Sequence, residues 1–130
     1  MAIAYWCVLA AAVLPYLWVT VAKATGGERY DNRDPRGWQA RQQNPRSQRA
    51  NAAQLNAFEA FAPFAAAVLM AQAAGVDPAR ISMLALAFVG LRIVHGAAYV
   101  AGVARLRSLA WGGAFAVVVW LMVLAARQIA

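Results

Sequence analysis

Acidic residues are scarce in this chain: five Asp and Glu stand against twelve Lys and Arg in 130 residues. Cysteine is scarcer still, with Cys7 alone, and His95 is the one histidine. A single cysteine excludes an intrachain disulfide. One His with one Cys gives no ligand spacing for a metal centre, so none is expected. Cys7 reads as a small packing residue in an apolar helix. Charge of either sign is thin, at 13% of residues, about half of what a soluble domain carries.

Hydrocarbon takes the place of charge. Hydrophobic residues make up 63% of the chain and the mean hydropathy is +0.52, so lipid is the expected solvent. The net charge of +7 raises nucleic acid as a partner. That reading fails, because no soluble basic domain remains once the apolar runs are set aside. Arginines flanking membrane spans, beside anionic lipid, account for the excess.

Four apolar runs predict one membrane domain over residues 1–130, with helices about 3–24, 47–74, 79–104 and 108–127. The first run, Ile3 to Ala22, has no charged residue, and as a helix it would span about 30 Å, the thickness of a bilayer core. It lacks the basic n-region of a signal peptide, so it reads as a retained helix. Residues 25–46 are polar and rich in Gly, Pro, Asn and Arg, and read as a solvated loop with Arg33 and Arg36 as lipid-phosphate contacts. Gly75, Asp77 and Pro78 mark a tight turn, and Arg105 to Arg107 a short basic link. Lys23, Arg29, Arg33, Arg36, Arg41, Arg46 and Arg49 lie at the first connection and Arg105 and Arg107 at the third, with only Arg80 and Arg127 opposite. The positive-inside rule then places loops 25–46 and 105–107 in the cytoplasm and both termini outside. No repeat or broken-helix pair suggests a transporter.

Glu59, Arg92 and His95 fall inside spans that cross hydrocarbon, where ionisable groups pair with one another or line a wet cavity. Arg49, Asn56 and Glu59 share an arc of about 80° on the second helix, and Arg92, His95 and Tyr99 one of about 60° on the third. Counted from the basic end, Glu59 lies about 15 Å deep, Arg92 about 18 Å and His95 about 13 Å. Glu59 thus matches Arg92 in depth, and Asn56 matches His95. An ion pair between Glu59 and Arg92, with Asn56 and His95 as hydrogen-bonding glue, would explain four residues of this stripe. The stripe is longer than that and carries surplus positive charge, which suits a buried site for an anionic ligand.

Two segments carry a resemblance. The stretch from Arg49 to Phe64 has Asn56 and Glu59 three apart, followed by Pro63-Phe64, and Arg92-Ile-Val-His95-Gly-Ala-Ala-Tyr99 sets an Arg-x-x-His-x-x-x-Tyr pattern on the third helix. Arg107-Ser108 opens the fourth, and Tyr30-Asp-Asn-Arg-Asp-Pro-Arg36 lies in the first loop. Together these resemble the membrane-associated proteins in eicosanoid and glutathione metabolism (MAPEG), in a bacterial form similar to microsomal glutathione transferases and prostaglandin E synthases. The resemblance implies an all-α, four-helix membrane bundle, assembled as a homotrimer in a bacterial inner membrane. It implies glutathione as co-substrate, bound between protomers by Asn56, Glu59, Arg92, His95 and Tyr99, to which Arg49 is added by its place at the mouth of the stripe. It further implies that Arg107, with Ser108, stabilises the thiolate for attack on a lipophilic electrophile or hydroperoxide, and Arg105 competes for that role. A glutathione- or anion-binding protein of the same fold without robust transferase activity is the alternative. The pattern departs at Trp111, where the synthases have tyrosine, and at Gln54 and Leu55, where they favour basic residues.

Overall fold

The computed structural model describes residues 1–130 and is all helical. Its elements are α1 (Ala2–Ala24), α2 (Pro35–Arg41), α3 (Pro45–Ala73), α4 (Pro78–Ala101) and α5 (Ala104–Gln128). α1, α3, α4 and α5 are long and apolar enough to cross a membrane. Their outward faces carry large apolar side chains, such as Trp6, Leu9, Val13 and Leu17 on α1. This is an integral membrane protein, with lipid rather than water as the solvent of those faces.

Three helices start by one device. Asp34, Asn44 and Asp77 each turn a side-chain oxygen onto a backbone N–H of the first turn (Gly37, Arg46 and Arg80), and proline follows at the first helical position. The cap satisfies an otherwise orphan donor, and proline there gives up an N–H that had no partner. The helix α5 differs: Val103 precedes it without a side-chain cap.

The central pair is α3 and α4, flanked by α1 on one side and α5 on the other. Small residues set the spacing. Ala50, Ala53, Ala57, Ala67 and Ala71 form the buried stripe of α3, and such residues let backbones approach where lipid supplies no hydrophobic drive. Phe64 and Phe88 stack at 3.8 Å between ring centroids in the middle of the α3–α4 seam. Gly96 of α4 lies under the Trp18 indole of α1, where a Cβ would overlap the ring.

Several sequence-based expectations need correction. The loop of residues 25–46 contains the helix α2, because Asp34-Pro35 caps a turn that Trp38 anchors at 1% exposure. Trp38 Nε1 donates to the Arg29 carbonyl at 2.9 Å, and Gln42 Nε2 donates to the Trp38 carbonyl at 2.8 Å. The second membrane helix begins at Pro45 rather than Ser47, and the third begins at Pro78 and ends at Ala101. Arg105 to Arg107 are not a link: they belong to the first turn of α5, which starts at Ala104 rather than Ser108. The break falls at Gly102, whose φ of 78° lies in the left-handed region. There the Val103 N–H reaches back to the Ala98 carbonyl at 2.9 Å, closing the helix in a Schellman-like turn that glycine favours.

Candidate functional site

The polar residues of α3 and α4 meet through one amide. Arg92 is 3% exposed, and its Nη2 donates to Asn56 Oδ1 at 2.8 Å. Asn56 Nδ2 in turn donates to Glu59 Oε2, in a longer contact of 3.4 Å. The expected direct pair of Glu59 with Arg92 is absent, since the only side-chain ion pairs, Arg33–Asp31 and Arg41–Asp34, lie between α1 and α3. Equal depth along two helices fixes height but not lateral separation, and Asn56 fills the gap. Glu59 is exposed on the flank of α3.

Three residues above continue the line. His95 is 2% exposed, its ring edge-on to Tyr99 at 5.6 Å between centroids. Its Nδ1 has no hydrogen-bond partner. The Arg107 guanidinium lies over the Tyr99 ring at 4.7 Å, a cation–π contact that holds the arginine toward α4. A cavity of about 230 Å³ is lined by Asn56, His95, Tyr99, Arg107, Ser108 and Trp111.

A second cavity, also about 230 Å³, adjoins it, with Asn56 and Trp111 common to both. Glu59 and Arg92 line its polar side, while Phe88, Ala114, Phe115 and Val118 form the apolar wall. Trp111 and Phe115 stack with their rings 6° from parallel. The two cavities form one groove between α3, α4 and α5, polar at the basic end and apolar further in.

Two expected residues are placed elsewhere. Arg49 Nε donates to the Val100 carbonyl at 3.0 Å, so it closes the C-terminal end of α4 rather than lining the groove. Arg105 is exposed and faces a separate depression with Ala104, Ser108 and Leu109. Helical geometry makes the reason plain: residues two apart on a helix point about 200° apart, so Arg105 and Arg107 cannot both face Tyr99. Apart from Trp111, the apolar lining was not singled out from sequence. Its signal was present in Trp111, Phe115 and Val118, spaced by four and three on α5, a pattern that ordinary core residues share.

The groove's polar residues lie in the order Asn56, Glu59, Arg92, His95, Tyr99, Arg107, Ser108 along three membrane helices. A family model described as MAPEG matches residues 3–127, nearly the whole chain. The chain belongs to the MAPEG family. No curated protein and no solved structure matches it. In this MAPEG chain the four-helix bundle is thus joined to a groove whose polar and apolar halves meet at Asn56 and Trp111.

Proposed function

We propose that this MAPEG protein is a glutathione-dependent transferase or peroxidase that activates the glutathione thiol for attack on lipophilic electrophiles or hydroperoxides. The observation that carries the reading is the composition of the groove. Arg92 and Arg107 lie at its polar end with only Glu59 in opposition, and an apolar compartment opens beside them. Glutathione at neutral pH carries two carboxylates and one ammonium, and its thiolate adds a further negative charge. Guanidinium groups suit the carboxylates and Glu59 suits the ammonium.

Thiolate formation has local support. The first turn of α5 has no acidic residue and no side-chain cap, so its unpaired N–H groups and positive dipole end favour an anion. Arg107 adds a full charge beside them and Ser108 a hydroxyl donor, which together would lower the thiol pKa. In the transferase reaction the sulfur lone pair forms the bond to carbon, and the leaving group departs with its bonding electrons. In the peroxidase reaction the sulfur takes the distal peroxide oxygen and the O–O bond breaks, leaving an alcohol. A second glutathione then gives the disulfide and water.

The reading includes a homotrimer with glutathione at the seam between protomers, in a bacterial inner membrane with the basic end in the cytoplasm. The exposure of Glu59 supports it, because a carboxylate about 15 Å into a bilayer demands a partner or ligand on its open side. The test is ultraviolet absorbance of the purified protein with glutathione. A thiolate band is expected in wild type, lost in Arg107→Ala and kept in Arg105→Ala. Absence of both the band and aryl-halide conjugation in wild type would refute the reading.

A further inference from the structure

The turn between α4 and α5 leads directly into the groove residues Arg107 and Ser108, yet neither helix secures it with a side chain of its own. α4 has no basic residue in its last turn, and α5 is preceded by Val103 without a side-chain cap. The backbone satisfies part of the turn: the N–H groups of Gly102 and Val103 return to the Tyr99 and Ala98 carbonyls at 3.1 and 2.9 Å. The Val100 carbonyl receives no backbone donor there, and Val100 is 8% exposed. A buried orphan carbonyl at the negative end of a helix calls for a cation that also donates a hydrogen bond.

Arg49 supplies it from α3. Its Nε donates to the Val100 carbonyl at 3.0 Å, and its guanidinium carbon lies 3.5 Å from where a Cβ on Gly102 would stand. No carboxylate pairs with Arg49, since the ion pairs of the molecule are Arg33–Asp31 and Arg41–Asp34. Its own base is fixed. Just before it, Ser47 Oγ donates to the Ala22 carbonyl at 2.7 Å and ties the start of α3 to the end of α1. Arg49 thus joins an anchored part of α3 to an uncapped turn.

Hydrogen bonds carry that hold into the groove. Val103 is the pivot: its N–H is held by Ala98 of α4, and its carbonyl accepts from the Arg107 N–H at 3.0 Å. Whatever fixes the turn therefore fixes the rotational setting of the first turn of α5. A slip of one residue there would swing each side chain by about 100°. In the present setting Arg107 lies over Tyr99, while Arg105 faces a separate depression. Gly102, with a φ of 78°, is the most permissive residue of the path, so an outside contact is what holds the setting.

We infer that Arg49 is a positioning residue for thiol activation: by holding the Val100 carbonyl it fixes the α4–α5 turn, and with it the place of Arg107 and Ser108 in the groove. It acts by donating a hydrogen bond to the protein, not by its charge on a ligand. The catalytic part of this role rests on the thiol chemistry proposed above, whereas the hold on the turn does not.

Two substitutions separate donor from charge. Gln Nε2 lies as many bonds from Cα as Arg Nε, so Arg49→Gln keeps an N–H for Val100 without the charge, whereas Arg49→Met puts a methyl group there. The full-length proteins are compared in detergent micelles by amide hydrogen exchange over residues 103–108 without glutathione. Thiolate absorbance and aryl-halide turnover are then measured with it. Arg49→Met should speed exchange at the turn and lower turnover on the order of 100-fold, as a misplacement of about 1 Å does, with the half-saturating glutathione concentration unchanged. Arg49→Gln should keep slow exchange, the thiolate band and turnover, which separates loss of the donor from misfolding. Equal losses in both variants with a raised half-saturating concentration would overturn the inference, since Arg49 would then act by charge on the ligand. Wild-type exchange and turnover in Arg49→Met would overturn it as well. A wild type without any thiolate band would refute the thiol chemistry instead. Exchange would then decide the hold on the turn: fast in Arg49→Met and slow in Arg49→Gln supports it, and equal rates in all three proteins refute it.

Discussion

Removing the Asn56 amide should expose what the buried arginine costs. Arg92 makes its one side-chain hydrogen bond to Asn56 Oδ1, at 2.8 Å, and is 3% exposed. In Asn56→Ala the guanidinium keeps its burial and loses that acceptor. A hydrogen bond to a charged group is worth about 1.5–3 kcal/mol, whereas neutral interhelical bonds in membranes average about 0.6 kcal/mol. The expected loss of stability therefore lies in the higher range. In an Arg92→Met background the charge is gone, and Asn56→Ala should cost no more than about 0.6 kcal/mol. The double-mutant cycle, measured by reversible unfolding in mixed micelles, should thus give a coupling of about 1 kcal/mol or more, beyond the ~0.5 kcal/mol scatter of independent sites. Glu59→Gln supplies the control, because its contact with Asn56 is the longer one. Additive single mutants would show that Asn56 does not hold Arg92, and the polar line across the α3–α4 seam would lose its central link.

Other outcomes follow from the packing and the loop. Gly96→Ala places a methyl against the Trp18 indole and should cost about 1–3 kcal/mol, as overpacking does; Trp18→Leu should recover part of it in the same melting assay, and an unchanged midpoint in Gly96→Ala would refute the close approach. Ala114→Leu fills the apolar cavity of about 230 Å³, so conjugation of bulky aryl halides should fall several-fold while glutathione-induced stabilisation persists; equal rates in both proteins would remove that cavity from the substrate path. The side chain and backbone N–H of Arg33 hold the Asp31 carboxyl below its ordinary value. A depressed folded-state pKa contributes stability above the unfolded value of about 3.9, lost as pH falls through the folded one. The Asp31–Arg33 turn should accordingly be unchanged from about pH 5 upward, and a carboxyl titration by NMR with a midpoint at or above the ordinary value would contradict this.

The spans were legible because four long apolar runs leave lipid as the only solvent that suits them. The residues of the polar stripe were legible for the same reason, since Glu59, Arg92 and His95 stand out against hydrocarbon. Lateral geometry was not. Depth along an axis cannot show that Asn56, rather than Glu59, meets Arg92, or that Arg49 turns to the Val100 carbonyl. The helix α2 escaped notice because seven residues are too few to show a period, although Asp34-Pro35 signalled its start. The basic run Arg105 to Arg107 read as a link because charge ended the apolar pattern, while the backbone break lies at Gly102.

The buried Trp38 and the Ser47–Ala22 bond make α1, α2 and α3 one hairpin, closed within the first 73 residues. The helices α4 and α5 form the second. Asn56 and Glu59 come from the first hairpin, and Arg92, His95, Tyr99, Arg107 and Ser108 come from the second. During synthesis the earlier hairpin can therefore lock before any of its groove partners has left the ribosome. Two polar side chains then wait in the bilayer for the arginine that completes them. Groove formation is on this view the last event of biogenesis, and a released fragment ending at Ala74 should reach a protease-resistant fold with no affinity for glutathione.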